Sequence, residues 1–276
     1  MSIWLNMLVL GTIALVAAIV LFIISRRFKV SENPKIAEVE QLLPQANCGG
    51  CGKAGCHAFA SACAETDEAG FAQLYCPVGG ADVMSKVAAV LGFKSENKEP
   101  EIAVLRCNGS CTNAPAKIAY DAITSCRIAN NITVGSSGCP DGCLHLGDCV
   151  RVCRFGALSM DETTGLPVVD ESKCTSCGAC VQTCPRGLFE LRPRGQNGKR
   201  VYVACRNRQK GALARKNCQV ACIGCMKCTK ICSEIKVENN LSYIPTSVSA
   251  SQYGAELAAN CPTKAIVYLK GEKSDG

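Results

Sequence analysis

A chain of 276 residues with 23 cysteines is better divided into a few small units than built around one large core, because small cysteine-dense units are held by disulfides or metal. An odd cysteine count and repeated CxxC pairs favour metal over a disulfide framework, and 5% aromatic content fits bodies braced from within by ligands. The formal charge of +7 counts every cysteine as neutral. Ligating thiolates would cancel most of it, and no basic stripe interleaved with aromatics occurs, which excludes nucleic-acid binding.

The first element is a membrane helix. From Ile3 to Ile24 only Asn6, Gly11 and Thr12 interrupt an apolar run, long enough at about 1.5 Å per residue to span a bilayer core. Arg26, Arg27 and Lys29 follow it and no charged side chain precedes it, so the positive-inside rule places the rest of the chain in the cytoplasm, as a single-pass protein of a bacterial inner membrane. A cleaved signal peptide would carry its basic residues before a shorter run.

The linker SENPKIAEVEQLLP leads through a short amphipathic helix, ended by Pro44, into CGGCGKAGCHAFASACAETDEAGFAQLYCPVGG. Cys48, Cys51 and Cys56 on a glycine-rich loop, with Cys76-Pro77 returned by a helical hairpin, make a 4Fe-4S cradle: glycine lets backbone N–H groups approach sulfur. Cys63, on the intervening helix, reads as a buried thiol. The GxGxxG match at Gly50 follows no strand and is spent on the CxxC loop, so no nucleotide site is expected. His57 and His145 read as structural or surface residues.

Beyond the charged stretch KSENKEPE (94–101), Cys126, Cys139, Cys143, Cys149 and Cys153 recur at Cys205, Cys218, Cys222, Cys228 and Cys232, each displaced by 79 positions, which marks an internal duplication. Between the copies, Cys174, Cys177, Cys180 and Cys184-Pro185 form a complete CxxCxxCxxxCP. In two-cluster ferredoxins such runs are paired, and the fourth cysteine of each ligates the other run's cluster. Crossing them groups Cys153 with Cys174, Cys177 and Cys180. Cys143, Cys149 and Cys184 form a second set, with Leu146 where a middle cysteine would stand and Cys139 as the nearest fourth ligand. Cys107, Cys126 and Cys139 could instead belong to a further cluster.

In the second copy CIGCMKCTKIC keeps Cys222, Cys225, Cys228 and Cys232. The stretch SVSASQYGAELAANCPTKAI (247–266) supplies the partner Cys-Pro at Cys261, but carries Ser251, Gly254 and Leu257 at the three other ligand positions. Cys261 is therefore expected to complete a set with Cys222, Cys225 and Cys228, leaving Cys232 without one. The sum is at least four 4Fe-4S clusters. Zinc ribbons also use CxxC pairs, but do not explain a distant Cys-Pro closing each repeat.

The anchor, the Cys48/Cys51/Cys56/Cys76 block and CTSCGACVQTCP together resemble the B subunit of the Rnf complex, an ion-translocating ferredoxin:NAD oxidoreductase, over nearly the whole chain. LLPQANCGGCGKAGC and HLGDCVRVC resemble its signatures. The resemblance implies an electron-transfer subunit of a translocating oxidoreductase, exchanging electrons with soluble ferredoxin and with other subunits of a membrane complex. NAD and flavin would sit elsewhere, and the chain would have no catalytic acid or base. Two features depart from the family pattern: a second, half-lost ferredoxin unit, and Arg154 where a proline usually follows the cysteine. Rival readings are a membrane-anchored polyferredoxin serving another reductase, and a reducer or sensor of a redox regulator. The expected architecture is α+β: a transmembrane anchor (1–29), a helical 4Fe-4S domain (30–98), a ferredoxin-like unit with two cluster motifs (99–192), a second with one motif retained (193–270), and a tail (271–276).

Overall fold

The apolar run forms one uninterrupted helix, α1 (Ile3–Arg27), with Arg26 and Arg27 in its last turn, where cations complement the helix dipole. Its described side chains are exposed all round. The computed structural model describes residues 3–27, 33–94, 99–118, 120–132 and 137–271. Lys29, the start of the linker, the middle of the charged stretch and the tail from residue 272 lie outside the described residues.

Four helices make the next body: α2 (Pro34–Leu42), α3 (Cys56–Glu65), α4 (Glu68–Phe71) and α5 (Gly80–Leu91). Asn33 caps α2, its side chain accepting from the Lys35 N–H, and Pro34 occupies the first turn, where no N–H is needed. Gly92 ends α5 with φ 80°, a left-handed position that suits glycine. Ile36, Val39, Phe59, Phe71, Met84 and Val87 are buried between the helices, and Cys63 is fully buried among them.

Two similar α+β repeats follow. In the first, β1 (Glu101–Leu105) is followed by α6 (Cys126–Ile132), α7 (Asp148–Val152), the hairpin β2 (Leu158–Met160) and β3 (Pro167–Val169), α8 (Ala179–Thr183) and β4 (Phe189–Pro193); β4 returns antiparallel to β1, pairing Ala103 with Leu191. The second runs β5 (Lys199–Val203), α9 (Gly211–Asn217), α10 (Lys227–Ile231), the hairpin β6 (Lys236–Glu238) and β7 (Leu241–Tyr243), α11 (Ala250–Asn260) and β8 (Ile266–Lys270). Here β8 pairs antiparallel with β5. Asn239 and Asn240 close the β6–β7 hairpin with φ 50° and 63°, the twist a two-residue hairpin turn requires.

Strand alternation explains how the repeats join. Ala103 faces its own repeat, packing with Leu158 and Phe189, while Ile102 and Val104 point the other way onto Tyr202 and Ala204 of β5 and its extension. The two outer ribbons thus lie face to face. Guanidinium groups seal the seam. Arg106 and Arg192, each 4% exposed, flank Glu190: Arg106 Nη1 lies 3.2 Å from Oε2, and Arg192 pairs with the other carboxylate oxygen. Arg106 Nε donates to the Val203 carbonyl, Arg192 Nη2 donates to Ile244 at 2.7 Å, and both guanidiniums stack on the Tyr243 ring. Burial lowers the Arg106 pKa, and Glu190 works against that shift. Replacing Glu190 by alanine would leave two buried cations uncompensated. The expected cost is on the order of 3 kcal/mol, read as earlier thermal bleaching of the cluster-loaded protein; an unchanged transition would refute this role.

Candidate metal centres

An iron–sulfur cradle needs thiolates around a hollow and N–H donors aimed at their sulfur atoms. In the helical body, Cys48, Cys51, Cys56 and Cys76 line one cavity, closed by Leu43, Phe59 and Pro77. Gly49 and Gly52 take φ 72° and 77°, turning the loop so that the Gly50 N–H donates to Cys48 Sγ at 3.5 Å, and the Gly79 N–H reaches Cys76 Sγ at 3.4 Å. Asn47 Oδ1 accepts from the Cys56 N–H at 2.8 Å and fixes the start of α3. Cys63 is absent from the cavity wall. His57 is held by Glu40 at 2.8 Å, outside the site, and His145 Nδ1 lies 2.7 Å from the Gly165 carbonyl oxygen.

Cys174 and Cys177 bear electrostatically on Cys180, and Cys153 packs with Cys174 and Cys180 around Leu158 and Phe189. Cys153 Sγ accepts from the Ala157 N–H at 3.3 Å. The cavity beside this set is lined by Cys143, Cys149, Cys184 and Cys126. This corrects the expectation of Cys139 as the fourth member, which does not line the cavity. Asp148 is the reason: its Oδ2 accepts from Ser125 Oγ and from the Arg127 N–H, both at 3.1 Å, and draws the first turn of α6, with Cys126, onto the Cys149 loop. Cys126 thereby comes to the cavity wall, next to a loop whose sequence has Leu146 at the position of a middle cysteine. Cys139 faces the second repeat, its Sγ accepting from Asn207 Nδ2 at 3.3 Å.

Cys222, Cys225, Cys228 and Cys261 line a third cavity. The missing partner site has been filled. α11 runs through Ser251, Gly254 and Leu257 as continuous helix up to Cys261, whereas α7, α8 and α10 are five residues each. Leu257, 1% exposed, joins the buried cluster that contains Cys232, Ile235 and Ile244. A Cβ at Gly254 would collide with the Tyr268 ring, so the helix lies directly on that ring. Cys232 is a core thiol.

The helical body is seated on the first repeat. A Cβ at Gly50 would meet the Cys177 carbonyl oxygen at 2.8 Å, so only glycine allows this approach between the two loops. Arg154 Nη1 donates to the Asn47 carbonyl at 3.2 Å, which gives the departure from proline a structural reason.

Burial, reinforced by neighbouring thiols, pushes Cys149 and Cys180 up to about 12. Such thiols hold their protons at neutral pH unless positive charge enters the hollow. Among the described residues no three Cys, His, Asp or Glu side chains converge closely enough for a single ion.

Four-cysteine sets with N–H groups directed at sulfur, behind an exposed apolar helix, define a membrane protein that carries electrons on several 4Fe-4S clusters. Residues 138–188 match a family model for a 4Fe-4S dicluster domain, and residues 43–69 match one described as "Putative Fe-S cluster". Three curated relatives extend the match to 94% of the chain. The B subunit of the ion-translocating oxidoreductase complex of Methanosarcina acetivorans is 40% identical, with 95% of its own length covered. The B subunit of the Na(+)-translocating ferredoxin:NAD(+) oxidoreductase complex of Acetobacterium woodii is 40% identical, with 75% covered, and its proton-translocating counterpart from Clostridium ljungdahlii is 41% identical, with 90% covered. The chain belongs to this family, the B subunits of Rnf-type ion-translocating oxidoreductase complexes.

Iron and sulfide analysis of anaerobically purified protein checks the geometry. Cys126→Ala and Cys261→Ala should each lose one cluster, about four iron per chain, while Cys63→Ala and Cys232→Ala should lose none. Full iron in Cys126→Ala would refute its place in the set.

Proposed function

We propose that the chain is the membrane-anchored electron-transfer subunit of an Rnf-type complex, relaying electrons between soluble ferredoxin and membrane partner subunits in ion-coupled ferredoxin:NAD oxidoreduction. The observation that carries this reading is the succession of four-cysteine sets behind an apolar helix, in a chain whose relatives bear that activity in their names. The proposed ligand sets are Cys48, Cys51, Cys56 and Cys76; Cys126, Cys143, Cys149 and Cys184; Cys153, Cys174, Cys177 and Cys180; and Cys222, Cys225, Cys228 and Cys261. Units at 30–98, 99–192 and 193–270, the latter two ferredoxin-like, are supported by the pairing of β1 with β4 and of β5 with β8.

A bound 4Fe-4S cluster supplies one-electron transfer. The chain's own residues hold sulfur in place, exclude water and direct N–H groups at the ligand sulfur atoms: Gly79 to Cys76, Ala157 to Cys153, Leu188 to Cys184. Such bonds favour the electron-rich state of the centre and so raise its potential, and burial sets the rest. No side chain is required as acid, base or nucleophile. Arg26 and Arg27 at the end of α1 support an inner-membrane protein with its cysteine-bearing units in the cytoplasm, and the apolar flank of α1 supports lipid as its surroundings.

Reduced ferredoxin, mixed anaerobically with the oxidised full-length protein in detergent, should bleach its visible absorbance within the mixing time. An unchanged spectrum would overturn the ferredoxin assignment. Added protease should degrade the cysteine-bearing units in everted membrane vesicles and spare them in right-side-out ones; the reverse would overturn the orientation.

A further inference from the structure

Beyond these sets, Cys63 and Cys232 are core thiols and Cys111 is exposed. The four cysteines that remain are all buried: Cys107 8%, Cys139 5%, Cys205 7% and Cys218 6% exposed. Each repeat contributes two, from matching places. Cys107 stands two residues beyond the end of β1, and Cys205 two residues beyond the end of β5. Cys139 and Cys218 each open a Cys-x-x-x-Cys step whose second cysteine, Cys143 or Cys222, belongs to the neighbouring cavity.

The seam between the repeats brings the four together. The Asn108 N–H donates to the Ala204 carbonyl at 3.1 Å, laying the Cys107 turn against the Cys205 turn. The Gln219 N–H donates to Asn113 at 2.9 Å and Lys117 Nζ to Asn217 Oδ1 at 2.6 Å, which draws the Cys218 loop onto the first repeat. One point just off Gly109 Cα lies 3.4 Å from Cys218 Sγ and 3.6 Å from Cys107 Sγ. Cys139 acts electrostatically on Cys107, Cys205 and Cys218 alike, which puts it near all three.

The surroundings suit sulfur that carries negative charge. Asn207, 1% exposed, donates Nδ2 to Cys139 Sγ, and the Cys222 N–H donates to Cys205 Sγ at 3.3 Å. Backbone N–H groups of Gly109 and Cys143 face Cys107, and that of Val220 faces Cys218. Four thiols packed only as small apolar groups would need none of these donors. They are not joined as disulfides, and no three of them converge closely enough for a single ion.

We infer that Cys107, Cys139, Cys205 and Cys218 hold a fifth 4Fe-4S cluster at the junction of the two repeats, two ligands coming from each. The inference rests on the iron–sulfur reading of the other sets and is independent of which protein donates the electrons. It places a centre between two neighbours. The Cys143 N–H reaches Cys107 on one side, and the Cys222 N–H reaches Cys205 on the other.

Native mass spectrometry of the anaerobically prepared full-length protein in detergent, with iron analysis, tests it. The expected mass is that of five clusters, about twenty iron per chain. Cys205→Ala should fall to four clusters, while Cys232→Ala should stay at five. Wild-type protein carrying four clusters, or four and one zinc ion, would overturn the inference. If Cys205→Ala loses further clusters, the wild-type mass alone decides. A wild-type protein without iron would instead overturn the iron–sulfur reading as a whole.

Discussion

Everything in this chain follows from the constraint that buried thiols need something between them. In the first repeat the buried apolar residues are few, and a good part of the interior they share is cysteine sulfur. A thiolate buried alone is costly, and burial drives Cys107, Cys149, Cys180 and Cys205 towards the protonated form. Filling the hollow with iron and sulfide reverses that sign, so cofactor binding and folding are one equilibrium, as in other metal-dependent small domains. Backbone N–H groups at the ligand sulfurs belong to the same balance: the donors that stabilise the loaded site also satisfy the loop that carries it.

Position then becomes the second requirement, because centres exchange electrons only when neighbouring sites are held close. Here the contacts form a single file. Gly50 brings the helical body against Cys177; Cys149 bears on Cys180; the Cys143 N–H faces Cys107; the Cys222 N–H meets Cys205. The Arg106–Glu190–Arg192 group keeps the middle of this file from sliding. Buried ion pairs add little net stability over hydrocarbon but lose much when half removed. Here they fix the register of two ribbons whose apolar contact, Ile102 and Val104 against Tyr202 and Ala204, is small.

Much of this was legible in the sequence because ligand spacing is a local property. The loop of Cys48, Cys51 and Cys56, the run of Cys174, Cys177 and Cys180, and the pairing of Cys261 with a distant CxxCxxC can be read from intervals and the crossing rule alone. The helix α1 is equally local. Cys126 was out of reach because its place depends on Asp148 folding α6 over the Cys149 loop, a contact across 21 residues that no interval encodes. The cysteine offset and the strand ends also give different alignments of the two repeats. An offset of 79 aligns Cys126 with Cys205, yet the strand ends equate Cys205 with Cys107, and the two registers differ because the first repeat carries extra chain between β1 and Cys139. The available signal was a common pattern, EIAVLRC and KRVYVAC, in which a mainly apolar strand is followed by a cysteine although only the cysteine is identical.

The second repeat contains both solutions to the hollow side by side. Around Cys222, Cys225, Cys228 and Cys261 the interior is a thiol-lined hollow; around Cys232 it is hydrocarbon from Leu257, Ile235 and Ile244, with α11 set against the Tyr268 ring. Hydrocarbon is available the moment the chain is made, whereas iron and sulfide must be delivered. The same Leu257 that packs near Cys232 also lines the cavity of Cys222, Cys225, Cys228 and Cys261, so packing that needs no metal forms one wall of the site that does.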